Sequence, residues 1–172
     1  DKWKEKSKRV MVPRVFFKVL RGSRLVCYPD STGEYFTTEK LVNLTIDLKK
    51  YPVSYEFLAG ILNSKIPSFY TQRVIYSNTT ETARVLDAPY LSQVILPKIN
   101  FDDKDDTDKV KMISKKVIKM IDLNSQLRIS SPSSKNKIEQ KIKIIDLEIE
   151  NLTSKLFRLD RHAQDFISSL VL

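Results

Sequence analysis

Only three glycines occur in the 172 residues, so no glycine-rich turn is present to wrap a phosphate or a nucleotide cofactor. The single cysteine, Cys27, excludes an internal disulfide, and with no signal-peptide pattern at the front a reducing cytoplasm is the expected compartment. The one histidine, His162, lies far along the chain from Cys27, which leaves little from which to build a zinc site or a Cys–His nucleophile. A surface position in the first turn of a helix suits it better. There is no run of eighteen apolar residues, so nothing reads as a membrane span. The chain starts at Asp1 rather than Met, which suggests a longer polypeptide upstream.

What is present is a globular composition, 41% hydrophobic and 30% charged, long enough to bury a core. The formal charge of +9 is unevenly spread. Residues 1–100 carry 16 Lys and Arg against 9 Asp and Glu, a balance of +7, while residues 101–172 carry 14 against 12, a balance of +2. A positive field on the front part favours a polyanion as partner, because each neutralised phosphate releases counterions. Plain solubility is the competing explanation.

The back part is a pair of rods. Ile138, Ile142, Ile145, Ile149, Leu152, Leu156 and Leu159 follow one another in steps of 4, 3, 4, 3, 4 and 3. Upstream, Val110, Ile113, Val117, Met120, Asn124 and Leu127 repeat the pattern. Two such seams joined by RISSPSSKNK, with Pro132 and four serines to break the helix, predict an antiparallel helical hairpin. Asn136 followed by Glu139 reads as a capping box for the second helix, and Asn124 within the first seam as a polar residue fixing register. The acidic run at 102–108 favours initiation of the first helix, and Asp160 is placed to cap a short last helix bearing Ala163, Phe166, Ile167 and Leu170 on one face.

The front part is β-branched and aromatic. Residues 8–46 read as three or four strands, with PDSTG at 29–33 as a turn. Ser54 starts a helix with Phe57, Leu58, Ile61 and Leu62 on one face, and Pro67 predicts a break or restart near Ile66. Residues 74–97 read as loop with short strands, the last being QVILP. The fold class is therefore α+β: a mixed, β-rich domain with a packed helix over 1–100, then a coiled-coil hairpin with a short final helix over 101–172.

The stretches KRVMVPRV (8–15), EYFTTEKLVNLTI (34–46), YEFLAGILNSKIPSFY (55–70) and YLSQVILPKI (90–99), followed by the hairpin, give the chain its resemblance to a known family. It resembles the TaqI-like C-terminal specificity domain, the target-recognition domain of adenine-N6 DNA methyltransferases and of fused restriction-modification enzymes, and is similar in plan to Type I restriction specificity subunits. LAGILNSK with the aromatic pair Phe69 and Tyr70 is its most specific part. The resemblance implies a non-catalytic DNA-reading piece whose partners are double-stranded DNA and a methyltransferase or restriction catalytic domain, fused or separate. No Asn-Pro-Pro-aromatic sequence is present, so S-adenosylmethionine belongs to that catalytic domain and no cofactor is expected here.

Direct readout needs long hydrogen-bonding side chains at base edges, with phosphate contacts setting the register. RVFFKVLRGSRL supplies Arg14, Lys18, Arg21, Ser23 and Arg24 around Gly22, and a second group follows in Tyr70, Gln72, Arg73, Tyr76, Asn78 and Arg84. An ordinary basic hairpin tip is the alternative reading of the first group. Two further functions compete with this reading. The loose pattern Pro29-Asp30 with Asp47-Leu48-Lys49 is that of a Mg²⁺-dependent nuclease, though Asp30 as a turn residue and Asp47 as a strand end explain it more simply. The helices could instead pair between chains as an assembly module. The serines at 130, 131, 133 and 134 have no base near them in sequence and read as turn formers.

Overall fold

The computed structural model describes residues 14–18, 25–35, 41–77 and 88–170. The molecule is α+β, a small antiparallel sheet set against helices that include a long antiparallel hairpin. Among the described residues the strands are β1 (Arg14–Lys18), β2 (Cys27–Asp30) and β3 (Leu41–Leu44), in the order β2-β1-β3. The register places Phe16 opposite Tyr28 on one side and Asn43 on the other. Alternation along β2 sends Cys27 inward and Tyr28 outward. Of the stretch 8–46 read as strands, residues 8–13, 19–24 and 36–40 lie outside the described residues. QVILP makes no strand: Val94 and Leu96 pack on the core without ladder partners.

Helix α1 (Tyr55–Leu62) starts as expected at Ser54, whose hydroxyl accepts from the Phe57 amide at 3.1 Å. Seven of its eight residues are buried, so this helix is apolar on nearly every side and lies between the sheet and the hairpin. It ends at Asn63, and Ser64 precedes α2 (Lys65–Tyr70), which continues as a π turn over Thr71–Ile75. The break near Pro67 therefore falls a few residues earlier, with the proline accommodated in the first turn, where its missing N–H leaves nothing unpaired. A single turn, α3 (Ala88–Leu91), follows.

The hairpin is α4 (Lys104–Ile129) and α5 (Pro132–Leu156), of 26 and 25 residues, each about 38 Å long at 1.5 Å per residue. Asp103 caps α4, its Oδ1 accepting from the Asp105 amide at 2.9 Å, and Asp105 and Asp106 sit in the positive first turn. The reversal is tighter than expected, only Ser130 and Ser131. Proline 132 occupies the first helical position, where its fixed φ suits helix entry, so Asn136 and Glu139 fall inside the helix and form no capping box. Lys116 donates to Glu148 at 2.7 Å across the hairpin. Helix α5 closes with the Leu159 amide on the Ser154 carbonyl and the Arg158 amide on the Lys155 carbonyl, with Arg158 left-handed at φ 55° where glycine is the usual choice. Asp160 then caps α6 (Arg161–Leu170) through the Ala163 amide at 2.8 Å, and Ile167 packs with Ile66 of α2.

One core runs through both parts of the chain. Val15, Leu25, Phe57 and Ile61 from the front join Ile113, Val117, Ile145, Ile149, Leu152 and Leu156 of the hairpin. Ile138 and Ile142, nearer the tip, are only half-buried. The seam of α4 departs from its heptad reading: Asn124 is exposed and gives its Nδ2 proton to the Met120 carbonyl at 2.8 Å, while Leu123 is the buried residue. Among the described residues no helix is long and apolar enough to cross a membrane.

Gly60 makes this core possible. A Cβ there would lie 2.6 Å from Ile113 Cγ2 and 2.9 Å from Val117 Cγ2, so α1 approaches α4 more closely than a side chain permits, while Ile149 Cγ2 of α5, at 3.8 Å, would be in ordinary contact. Gly60→Ala should lower unfolding stability by about 1–3 kcal/mol although alanine is the better helix former. Ile149→Ala should cost about 2–5 kcal/mol and the half-buried Ile142→Ala clearly less; denaturant melts check all three.

Candidate nucleic-acid interface

The eleven residues expected to meet DNA divide sharply. Arg14 does not: it is 1% exposed, sits opposite Asp30 in the register and holds its guanidinium 3.9 Å from the Asp30 carboxylate. A buried cation of this kind persists only when paired and hydrogen-bonded, and Arg14 also donates to the Tyr35 carbonyl. Tyr76 is likewise interior, 4% exposed, with its ring 4.8 Å from that of Tyr90. The burial of both is set by tertiary packing, which no local pattern of basic and aromatic residues near turns reveals. Lys18 ends β1 with its backbone opposite Leu41. Arg21, Ser23, Arg24, Asn78 and Arg84 lie outside the described residues. Tyr70 and Gln72 are half-buried and Arg73 is exposed; the three lie together where α2 passes into its π turn, a distortion often found at functional sites.

The nuclease pattern does not assemble. Asp30 is 1% exposed and its carboxylate is taken up by the chain: Oδ1 accepts from the amides of Gly33 at 2.8 Å and Glu34 at 3.1 Å, and Oδ2 from Tyr35 at 3.1 Å. Asp47 is exposed, its Oδ1 accepting from the Lys49 amide at 3.0 Å in a turn. Among the described residues no three His, Cys, Asp or Glu side chains gather where a metal could sit. Burial pushes the Cys27 thiol well up, so it stays protonated, and His162 is exposed in the first turn of α6, as its sequence position suggested.

LAGILNSK is the joint between the sheet, α1 and the hairpin. The Asn63 side chain bridges the edge of β2, its Oδ1 accepting from the Cys27 amide at 2.8 Å and its Nδ2 donating to the Cys27 carbonyl at 2.9 Å. Ser64 Oγ donates to the Ile61 carbonyl at 2.6 Å. The Lys65 amide, at the start of α2, donates to both oxygens of Glu150 on α5, at 3.0 and 3.1 Å. Asn63 thus closes a sheet edge, and Lys65, two residues on, brings a hairpin carboxylate to a helix N-terminus. Ser68 accepts from the Leu25 amide at 3.0 Å, a second tie from α2 to the strand region.

Sequence reasoning missed a further feature, an aromatic face on the sheet. The rings of Phe16, Tyr28 and Tyr35 lie 5.5–6.3 Å apart, in tilted and edge-on arrangements. The Arg14–Asp30 pair fixes the turn that brings Tyr35 to this cluster. Opposite it, across a cavity of about 650 Å³, stand Asn124, Ser125 and Arg128 of α4, with Asp146 on α5. Burial and the neighbouring Tyr35 push the Tyr28 phenol up, while Arg128 acts in the opposite direction. The period-two placement of Phe16 and Tyr28 away from the core was the available signal; Tyr35 arrives through a turn that no local pattern announces.

Comparison of the chain with protein-family models, with curated proteins and with solved structures returns no match.

Two substitutions test the packing of this region. Asn63→Ala strips the Cys27 amide and carbonyl of their partner and should cost about 1–3 kcal/mol. Thr153 lies fully buried in α5 with its hydroxyl unbonded, so Thr153→Val should raise stability by about 1 kcal/mol or more. Thermal or denaturant unfolding reads both.

Proposed function

We propose that the chain is a DNA target-recognition domain, non-catalytic in itself, that selects a duplex site while a separate methyltransferase or restriction domain carries out the reaction. The observation that carries this reading is the seating of a positively charged front part on a long helical arm. Residues 1–100 have a balance of +7; within them the Asn63 bonds tie the end of α1 to the sheet, and the close approach at Gly60 and the Lys65 amide on Glu150 hold this part to the hairpin. Reading base edges demands side chains held to a fraction of an ångström, which a head fused to its support through one core supplies. The arm gives that head a fixed distance and angle to a catalytic partner, in which S-adenosylmethionine and the extruded adenine would be held. Arg73, exposed beside Tyr70 and Gln72, and Lys18, Arg21, Ser23, Arg24, Asn78 and Arg84 are the side chains assigned to DNA; Arg14 and Tyr76 are withdrawn from that set. The resemblance of LAGILNSK to specificity domains supports the same reading, since here that stretch forms the joint.

Assembly through the hairpin is the second reading, and it has one observation of its own: Ile129, Leu147 and Ile144 are 87%, 63% and 57% exposed, more than a free two-helix arm requires. Sedimentation of the full chain over a range of concentrations separates the two. A monomer is expected; a dimer whose stability rises with concentration favours assembly.

Duplex binding should weaken with salt at a log-log slope near 0.9 per phosphate contacted. Arg73→Ala should lower that slope by about 1 if the residue meets a phosphate, and should relax preference at one position if it meets a base. Affinity for every duplex that is absent or indifferent to salt contradicts the proposal.

A further inference from the structure

We infer that the groove between the Phe16–Tyr28–Tyr35 face and the inner side of α4 is a nucleotide site, the base lying against the tyrosine rings and the phosphate at Arg128. None of its lining residues belongs to the set assigned to duplex DNA, so it is a second site.

Four observations converge on this ligand. The cavity, about 650 Å³, is within the range of pockets that enclose small molecules and cofactors. Its sheet wall leaves Tyr28 36% and Tyr35 52% exposed although their rings are locked to Phe16 and to each other. Rigid rings offered to solvent beside a groove are a stacking platform for any base. Arg128, exposed at the far end of the α4 wall, is the one cation among the described lining residues. The groove is also polarised. With Lys116 opposite Glu148 in the antiparallel hairpin, Asp146 falls level with residue 118, about 15 Å along the axis from Arg128 at 1.5 Å per residue. A nucleotide laid along α4 therefore keeps its phosphate at the cationic end, away from the carboxylate.

Asn124 fits the same account. A heptad seam calls for an apolar residue at that position, and Asn124 instead lines the groove beside Ser125, its amide tied to the Met120 carbonyl. Glu150, the other carboxylate of the wall, is engaged by the Lys65 amide.

The test is calorimetric titration of the full chain with AMP, ATP and a short single-stranded oligonucleotide, on the native sequence and on Tyr35→Leu and Arg128→Gln. Both substituted positions are exposed, and circular dichroism confirms that each variant is folded. Saturable binding of at least one probe is expected, weakened about tenfold or more by Tyr35→Leu through loss of a stacking contact, and weakened by Arg128→Gln with a smaller salt dependence. Binding of AMP or ATP identifies a free nucleotide as the ligand, and binding of the oligonucleotide alone identifies an unstacked base within a strand. Failure of all three probes to saturate, or affinities that neither variant changes, overturns the site. Duplex binding that persists when every groove probe fails removes the groove and leaves target recognition standing; nucleotide binding without duplex binding does the reverse.

Discussion

Three helices meet at one residue without a side chain, and the rest of the molecule is arranged around that meeting. At Gly60 the backbone of α1 comes so near α4 that Ile113 and Val117 fill the space a Cβ would take, with Ile149 of α5 in van der Waals range of the same point. Close approach lets α1, buried on almost every face, serve as the layer between a three-stranded sheet and a two-helix arm. A sheet this small has too little apolar area to be stable alone. A two-helix hairpin likewise has only one seam to bury. Joined through α1, they share a single core, and neither has to stand by itself.

Polar bonds then fix the orientation that packing allows. Asn63 takes both backbone groups of Cys27 at the sheet edge, and Glu150 receives the first amide of α2. These bonds are individually modest, each on the order of 1 kcal/mol net, but they are directional where dispersion contacts are not. Arg14 and Asp30 perform the same task on the other flank, setting the turn that carries Tyr35. A basic residue that the front part seemed to offer to a polyanion is thus spent inside the fold, and the positive field depends on the remaining lysines and arginines.

How much of this was legible in the sequence differs by the range of the interaction. The hairpin was plain because its seam is periodic: Ile145, Ile149, Leu152 and Leu156 are all buried. Local caps at Ser54 and Asp160 were readable for the same reason, since the hydroxyl or carboxylate and its amide lie within three residues. Asn124 was misplaced because α4 has two partners. That helix packs on α1 as well as on α5, so a seven-residue repeat no longer describes which positions are covered. Arg14 and Tyr76 were misplaced because their partners, Asp30 and Tyr90, are fixed by register and tertiary packing and not by spacing. The LAGILNSK stretch was singled out by resemblance, but the reason each of its residues is needed appears only once β2 and α5 are set beside it.

The central claim is that sheet-bearing head and helical arm form one cooperative unit locked at Gly60. Native-state hydrogen exchange measures this directly, through the amides of Phe57–Leu62 in α1 and those of Ile113, Val117 and Ile149 in the arm. The account predicts a single opening free energy shared by the two groups, falling together as denaturant is added. Opening of the α1 amides at a much lower free energy, while those of the arm stay protected, would contradict it.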